Sequence, residues 1–188
     1  MNVPIDISGV TLHTKRLTLR PWREEDLEDF YAYASRDGVG QMAGWPPHES
    51  REVSRAVLER FIAKKKTFAM EMEGKVIGSL GIERYSEDKL PELAPLKARE
   101  LGFVLSMDCW GQGLMPEAVE AVNAYLFEDV GVDLVVCSHF LRNGQSARVQ
   151  QKCGFTPYKK SLYRTLMGTV EETMYNLLTA EDWRKHRA

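Results

Sequence analysis

The residues with the clearest chemical potential lie in a glycine-rich turn near the middle of the chain. The segment Trp110-Gly111-Gln112-Gly113 follows a strand-like stretch, and Pro116 favours a helix start just after it. Such a turn exposes backbone N–H groups at a helix N-terminus, where they bind phosphate or pyrophosphate without a charged side chain. Glycine allows the close approach that a Cβ would block. An ordinary glycine-rich connection is the alternative interpretation.

Two other phosphate-binding loops do not fit this turn. No Gly-Lys-Ser/Thr sequence follows it, and the third glycine of a dinucleotide-binding fingerprint is missing. The lysine or acidic partner that ATP or NAD would need is therefore absent. A nucleotide-binding module is disfavoured as a function class.

Hydrophobic periodicity predicts the elements that position this turn. Strands are predicted at residues 16–20, 67–73, 76–83, 99–105, 133–139, 158–164 and 169–178. Helices are predicted over about 24–34, from Ser50, from Pro116 to about Phe127, over 143–153 and from about Thr179. Residues 85–96, with two prolines and several acids, are predicted to form an exposed loop. The order β-α-α-β-β-β-α-β-α-β-β predicts a mixed α+β or α/β fold in three layers.

Composition narrows the function class. The chain has 188 residues and a formal net charge of −2, with 44% hydrophobic and 28% charged residues. These values predict one globular domain over 1–188, with a core at about 11–180, and exclude a disordered chain and a bulk-basic nucleic-acid binder. No apolar run approaches the ~18 residues of a membrane span, and residues 1–10 lack a signal-peptide pattern. A cytoplasmic protein with no membrane partner is expected.

Cysteine and histidine spacing gives no sign of a metal site. Cys109, Cys137 and Cys153 contain no Cys-x-x-Cys pair, and the four histidines show no mutual ligand spacing. Reduced thiols and no metal are the expectation.

Four motifs occur in the order found in a known family. They are Thr14-Lys15-Arg16-Leu17-Thr18-Leu19-Arg20, Glu100-Leu101-Gly102, Trp110-Gly111-Gln112-Gly113, and Asn143…Ser146…Lys152-Cys153-Gly154-Phe155. Together they resemble the GNAT superfamily of acyl-CoA-dependent N-acyltransferases, and its ribosomal-protein alanine N-acetyltransferase-like branch in particular. The resemblance covers nearly the whole chain. It implies a central, mostly antiparallel sheet of about seven strands, helices on both faces and a splayed strand pair.

The resemblance also implies a binding site for acetyl-CoA as cosubstrate. The pantetheine arm would lie along the backbone of Phe103, Val104 and Leu105, and Asn143 would bond its amides, unless Asn143 is only a helix cap. The pyrophosphate would be cradled by Trp110, Gly111, Gln112, Gly113, Leu114 and Met115. The family usually has Gly or Ala at the sixth loop position, so the Met115 side chain must point away from the phosphates.

Two residues are expected to move protons. Glu100 resembles the family's general base, which commonly acts through water; the alternative is that it pairs with Arg99 or Arg84 on a solvated face. Ser146 resembles the group that hydrogen-bonds the departing sulfur, although it also fits a helix cap. Base and acid groups each contribute about 10²–10⁴-fold to rate.

Two further positions bear on this assignment. Gln150 occupies the position where many family members have a tyrosine that acts as the general acid. Glutamine cannot replace that tyrosine as a proton donor. His139, at the end of a predicted strand, is an alternative base. Replacing Glu100 by Gln is predicted to lower turnover mainly at low pH.

The function that follows is transfer of an acetyl group from acetyl-CoA to a primary amine by direct attack in a ternary complex. The acceptor is a protein N-terminus, an amino acid or a small amine, nucleic acid is not a partner, and a homodimer is left open. A non-catalytic acyl-CoA-binding regulatory domain of the same fold is the alternative.

Acidic residues between 83 and 92 predict a cationic acceptor that is attracted by their charge. The other explanation is that these acids only keep a long loop solvated. These acids are Glu83, Glu87, Asp88 and Glu92.

Overall fold

The computed structural model describes residues 1–187 as strands and helices that mix along the chain. The strands are β1 (Leu12–His13), β2 (Thr18–Pro21), β3 (Thr67–Met72), β4 (Lys75–Glu83), β5 (Ala98–Leu105), β6 (Leu134–Phe140), β7 (Thr156–Arg164) and β8 (Val170–Thr179). The helices are α1 (Leu27–Ala34), α2 (Arg51–Lys64), α3 (Leu114–Ala124), α4 (Gly144–Lys152) and α5 (Ala180–Arg187).

The strands form a single sheet in the order β1-β2-β3-β4-β5-β6-β8-β7. Every neighbouring pair is antiparallel except β5 and β6, which are parallel. A parallel pair needs a crossover connection, and α3 supplies it. The expected mixed, mostly antiparallel fold is confirmed. The sheet of the described residues has eight strands rather than seven, because the two-residue β1 pairs with β2.

Helices cover both faces of the sheet and give three layers. On one face α1 and α2 bury a cluster that includes Phe30, Leu58 and Val76. On the other face α3 and α5 pack Val119 and Trp183 against the sheet, and the last turns of α3 widen into a π-helix over Tyr125–Val130. Apolar residues recur at helical spacing on the sheet-facing sides of α1, α2 and α3, so burial on the sheet holds the layers together.

The predicted exposed loop over residues 85–96 is wrong in one respect, because three of its apolar residues are buried. Tyr85, Leu90 and Leu93 pack over the sheet with Val136. The segment is held by side-chain bonds to Asn2, whose Oδ1 accepts from the Tyr85 N–H at 3.0 Å. It therefore forms a packed cover over one end of β5 and β6.

None of the helices described over residues 1–187 is long and apolar enough to cross a membrane.

Candidate active site

Strands β5 and β6 separate part-way along their length. Their parallel pairing stops at Leu101 and Cys137. β5 nevertheless continues to Leu105 against β4, and β6 continues to Phe140 against β8. The splayed strand pair expected from the resemblance is present. It opens into a cavity of about 650 Å³.

The cavity brings together all but one of the predicted site residues. The exception is Gln112, whose side chain turns back to donate to the Asp108 carbonyl at 3.0 Å. The Met115 side chain is buried in the core, as its size requires. The predicted residues in the cavity wall are Glu100, Phe103, Val104, Leu105, Trp110, Gly111, Gly113, Leu114, Met115, Asn143 and Ser146.

The glycine turn closes one end of the cavity in a conformation that only glycine adopts easily. Gly111 and Gly113 have φ of 76° and 75°, in the left-handed region. The Trp110 indole N–H donates to the Leu105 carbonyl at 2.9 Å and ties the turn to the end of β5. Within residues 1–187, no described hydrogen bond is donated by the backbone N–H of Gly111, Gln112 or Gly113. These groups are free to bind an anion in front of α3.

The opening motif of the chain holds this turn in place, a role that its sequence did not reveal. Glu117, in the first turn of α3, accepts from the Thr14 hydroxyl at 2.5 Å and from the Arg16 Nε at 2.8 Å. Arg16 also donates from Nη1 to the Gln112 carbonyl at 2.9 Å. The guanidinium thus fixes the carbonyl side of the turn and leaves the N–H side to the cavity.

Glu100 lies on the cavity-lining part of β5 in an environment suited to a base. Its pKa is raised from 4.5 to about 7: burial is the largest cause, a hydrogen bond from the Ser138 hydroxyl at 2.7 Å opposes the shift, and the neighbouring Glu83 on β4 adds to it. Among residues 1–187, the described partner of the Glu100 carboxylate is the Ser138 hydroxyl rather than Arg99 or Arg84, and the Arg99 Nε donates to the Val3 carbonyl. A carboxylate with a pKa near 7 is half-ionised at neutral pH.

Ser146 lies in the first turn of α4 and faces the same cavity. Its backbone N–H donates to the Asn143 Oδ1 at 3.1 Å, so Asn143 is the cap of α4. Its hydroxyl oxygen accepts a hydrogen bond from the Gln150 Nε2 at 3.1 Å. Because the oxygen is the acceptor there, the hydroxyl hydrogen remains available to another group.

His139 faces α4 and is joined to the same polar cluster. Its Nδ1 lies 3.0 Å from the Asn176 Nδ2. Burial lowers the pKa of His139, so the ring stays neutral near pH 7. Sequence reasoning did not identify Asn176, which has no motif and comes close to His139 only through the pairing of β6 with β8.

The far end of the cavity is apolar and aromatic. Its wall includes Trp45, Phe61, Phe140 and Tyr163.

Most of the acids expected to attract a cationic acceptor are already bonded to other side chains. Glu83 forms an ion pair with Lys66. Two of the other three acids have partners too: Glu87 accepts from Asn2, and Glu92 accepts from Tyr158 and Lys159.

Comparison with known protein families identifies the family of this chain. The family described as acetyltransferase (GNAT) domain matches residues 16–156. The chain belongs to the GNAT acetyltransferase family. It is accordingly an acyl-CoA-dependent acetyltransferase, as the four motifs implied. Within residues 1–187, no group of three or more His, Cys, Asp or Glu side chains is placed to hold a metal ion.

Individual relatives and solved structures are similar to this chain over most of its length. The chain is 26% identical over 172 residues to the uncharacterized N-acetyltransferase YoaA of Bacillus subtilis, covering 86% of this chain and 92% of YoaA. Its fold is similar to that of a ribosomal-protein-S5-alanine acetyltransferase from Vibrio fischeri, with a TM-score of 0.71 and 20% identity over 93% of this chain and 98% of that one. Mycobacterium smegmatis RimJ, solved in complex with CoA-disulfide, has a TM-score of 0.71 and 17% identity over 92% of this chain and 88% of that one.

Proposed function

We propose that this GNAT acetyltransferase transfers an acetyl group from acetyl-CoA to a primary amine by direct attack in a ternary complex. The observation that supports it is the single cavity that runs from the free N–H groups of Gly111 and Gly113 to Glu100. One wall suits a pyrophosphate, and the other holds a carboxylate with a pKa of about 7. The whole chain, 1–188, is proposed to form one N-acetyltransferase domain.

The unpaired part of β5 would bind the cosubstrate. Residues 102–105 have no partner on the β6 side, so their backbone groups there would bond the amides of the pantetheine arm in the manner of a missing strand. The pyrophosphate would lie on the N-terminus of α3, held by backbone donors. The RimJ complex with CoA-disulfide gives a precedent for CoA on this fold.

Glu100 and Ser146 would divide the proton transfers between them. Glu100 would accept the proton that the amine loses, directly or through one water, as the C–N bond forms. The Ser146 hydroxyl would donate toward the sulfur as the C–S bond breaks and negative charge develops there. His139 is left out of this scheme, because its Nδ1 is already occupied.

The acceptor is proposed to be an amine on a protein N-terminus, an amino acid or another small molecule. The likeness to a ribosomal-protein-S5-alanine acetyltransferase favours a protein N-terminus as the first class to test. A cytoplasmic setting is part of the proposal, and the three free, buried cysteines support a reducing compartment.

The deciding experiment is release of CoA thiol from acetyl-CoA in the presence of an amine panel. The panel contains peptides with different N-terminal residues, free amino acids and polyamines. We expect acceptor-dependent thiol release and an acetylated product of the matching mass. Tight CoA binding by calorimetry without thiol release from any amine would instead indicate a non-catalytic acyl-CoA-binding domain.

A further inference from the structure

A buried chain of hydrogen bonds links β8, α4 and the cavity, and one backbone carbonyl sets its direction. The Ser138 carbonyl can only accept, so the Gln150 amide atom that lies 3.1 Å from it is Nε2. This orientation places Gln150 Oε1 on the opposite side, where the Asn176 Nδ2 donates to it at 2.5 Å. Gln150 and Asn176 are 2% and 3% exposed, so bulk water does not compete for these bonds.

The direction set by the carbonyl determines both ends of the chain. At the cavity end, the second hydrogen of Gln150 Nε2 goes to the Ser146 hydroxyl oxygen. At the other end, His139 Nδ1 lies 3.0 Å from Asn176 Nδ2 and 3.4 Å from Gln150 Oε1. The nearer group can only donate, so the contact assigns Nδ1 as the acceptor and places the ring proton on Nε2. Ser146 must use its own hydrogen elsewhere, and the cavity lies on that side.

We propose that Gln150 and Asn176 are positioning residues that hold the Ser146 hydroxyl as a hydrogen-bond donor toward the cavity. The expected kinetic effect rests on the proposed function, whereas the direction of the hydrogen bonds does not. Gln150 thus serves the residue that donates to sulfur, although it is not itself an acid.

The kinetic test compares Gln150→Glu with Gln151→Glu, the same substitution on the exposed side of α4. A buried glutamic acid at position 150 keeps its proton for the Ser138 carbonyl, and the same oxygen accepts from the Ser146 hydroxyl and draws its hydrogen away from the cavity. We expect kcat to fall roughly 2- to 12-fold, the worth of one hydrogen bond. The KM for acetyl-CoA should be unchanged, and Gln151→Glu should resemble the wild type.

A double-mutant cycle separates positioning from a structural role. If Gln150 acts through Ser146, Gln150→Glu should cause no further loss in a Ser146→Ala background. An equal loss in both backgrounds, or a loss expressed in KM, would overturn the proposal. Gln150→Leu serves as a second variant, since it leaves Ser146 without the donated bond and adds no charge.

The direction of the hydrogen bonds can be measured without an assay of enzyme activity. Nitrogen-15 chemical shifts of the His139 ring, measured on the full-length protein near pH 7, should show the neutral tautomer with the proton on Nε2. In Asn176→Asp the new carboxylate attracts a proton to Nδ1, and the spectrum should change accordingly. A wild-type ring protonated on Nδ1 would overturn the inferred bond from Asn176 to His139, because Nδ1 would then donate to Gln150 Oε1. Absence of thiol release with every amine would contradict only the proposed function.

Discussion

Glu100→Gln is expected to make the protein more stable at alkaline pH while reducing its activity. The pKa of Glu100 is raised from 4.5 to about 7 by burial. A folded-state pKa above the unfolded value means that the folded protein holds the proton more tightly. Stability is therefore fully present below pH ~4.5 and falls as the pH rises to ~7.

The size of the effect follows from the pKa difference. At about 1.4 kcal/mol for each pH unit, the charged carboxylate destabilises the folded protein by up to about 3 kcal/mol above pH ~7. Glutamine removes that charge and still accepts the hydrogen bond that Ser138 donates to Glu100. For a chain of this size, about 1 kcal/mol corresponds to roughly 2–4 °C in Tm, so the gain at pH 8 is at most about 6–12 °C.

The assay is thermal unfolding at pH 5 and pH 8 for the wild type, Glu100→Gln and Glu59→Gln. Glu59 lies on the exposed side of α2 and serves as the matched control. We expect the difference in Tm between Glu100→Gln and the wild type to grow with pH, and the control to show no such trend. Equal differences at both pH values would refute the assignment of a raised pKa to Glu100.

The raised pKa also changes the expected pH dependence of turnover. A base with a pKa of about 7 is largely protonated at low pH. The wild-type kcat/KM should therefore rise with pH through a limb near 7 that Glu100→Gln lacks, and the defect should be largest above that pH. The expectation from the sequence was a defect mainly at low pH, where the amine needs help to lose its proton, but a base with a raised pKa is itself protonated there.

Two further variants, one single and one triple, test the cofactor end of the cavity and the acidic loop. Gly113→Ala forces a side chain into the left-handed region, at φ 75°, and should weaken CoA binding. The control is Gly168→Ala, because Gly168 has a φ of 81° at a hairpin tip and should affect CoA binding less. Equal CoA affinities in the two variants would refute the pyrophosphate assignment. Neutralising Glu87, Asp88 and Glu92 together should lower Tm through lost bonds to neighbouring side chains, with less than about a twofold change in kcat/KM at low salt. A larger loss at low salt that vanishes at high salt would instead support electrostatic steering.

Local patterns in the sequence predicted most of the elements. The β3–β4 hairpin was placed correctly because alternating residues flank Glu73-Gly74, and both of these residues have positive φ in the structure. The two-residue β1 was missed because two residues carry no periodicity. The packed cover over residues 85–96 was missed because three apolar residues, Tyr85, Leu90 and Leu93, are too few to make a sustained helical or strand pattern.

The candidate site was predictable only where a motif encodes it. Glycine turns and the Asn-x-x-Ser motif have a fixed spacing, so the residues around them could be named. The raised pKa of Glu100 depends on burial by distant segments, which no local pattern shows. Gln150 and Asn176 are ordinary polar residues in the sequence and meet only after β6, β8 and α4 have packed together.

The cleft between β5 and β6 is formed by omitted backbone pairing rather than by small side chains. The unpaired stretch of β5 is residues 102–105, and its side chains leave the strand toward opposite faces: Phe103 packs with the α3 side and Val104 with the α1 side. Binding of the acyl donor by the main chain would therefore not depend on which side chains the strand carries. Substitutions on the α1 face would change the choice of amine and leave the binding of acetyl-CoA unchanged. Specificity for the amine and specificity for the acyl donor would then change independently.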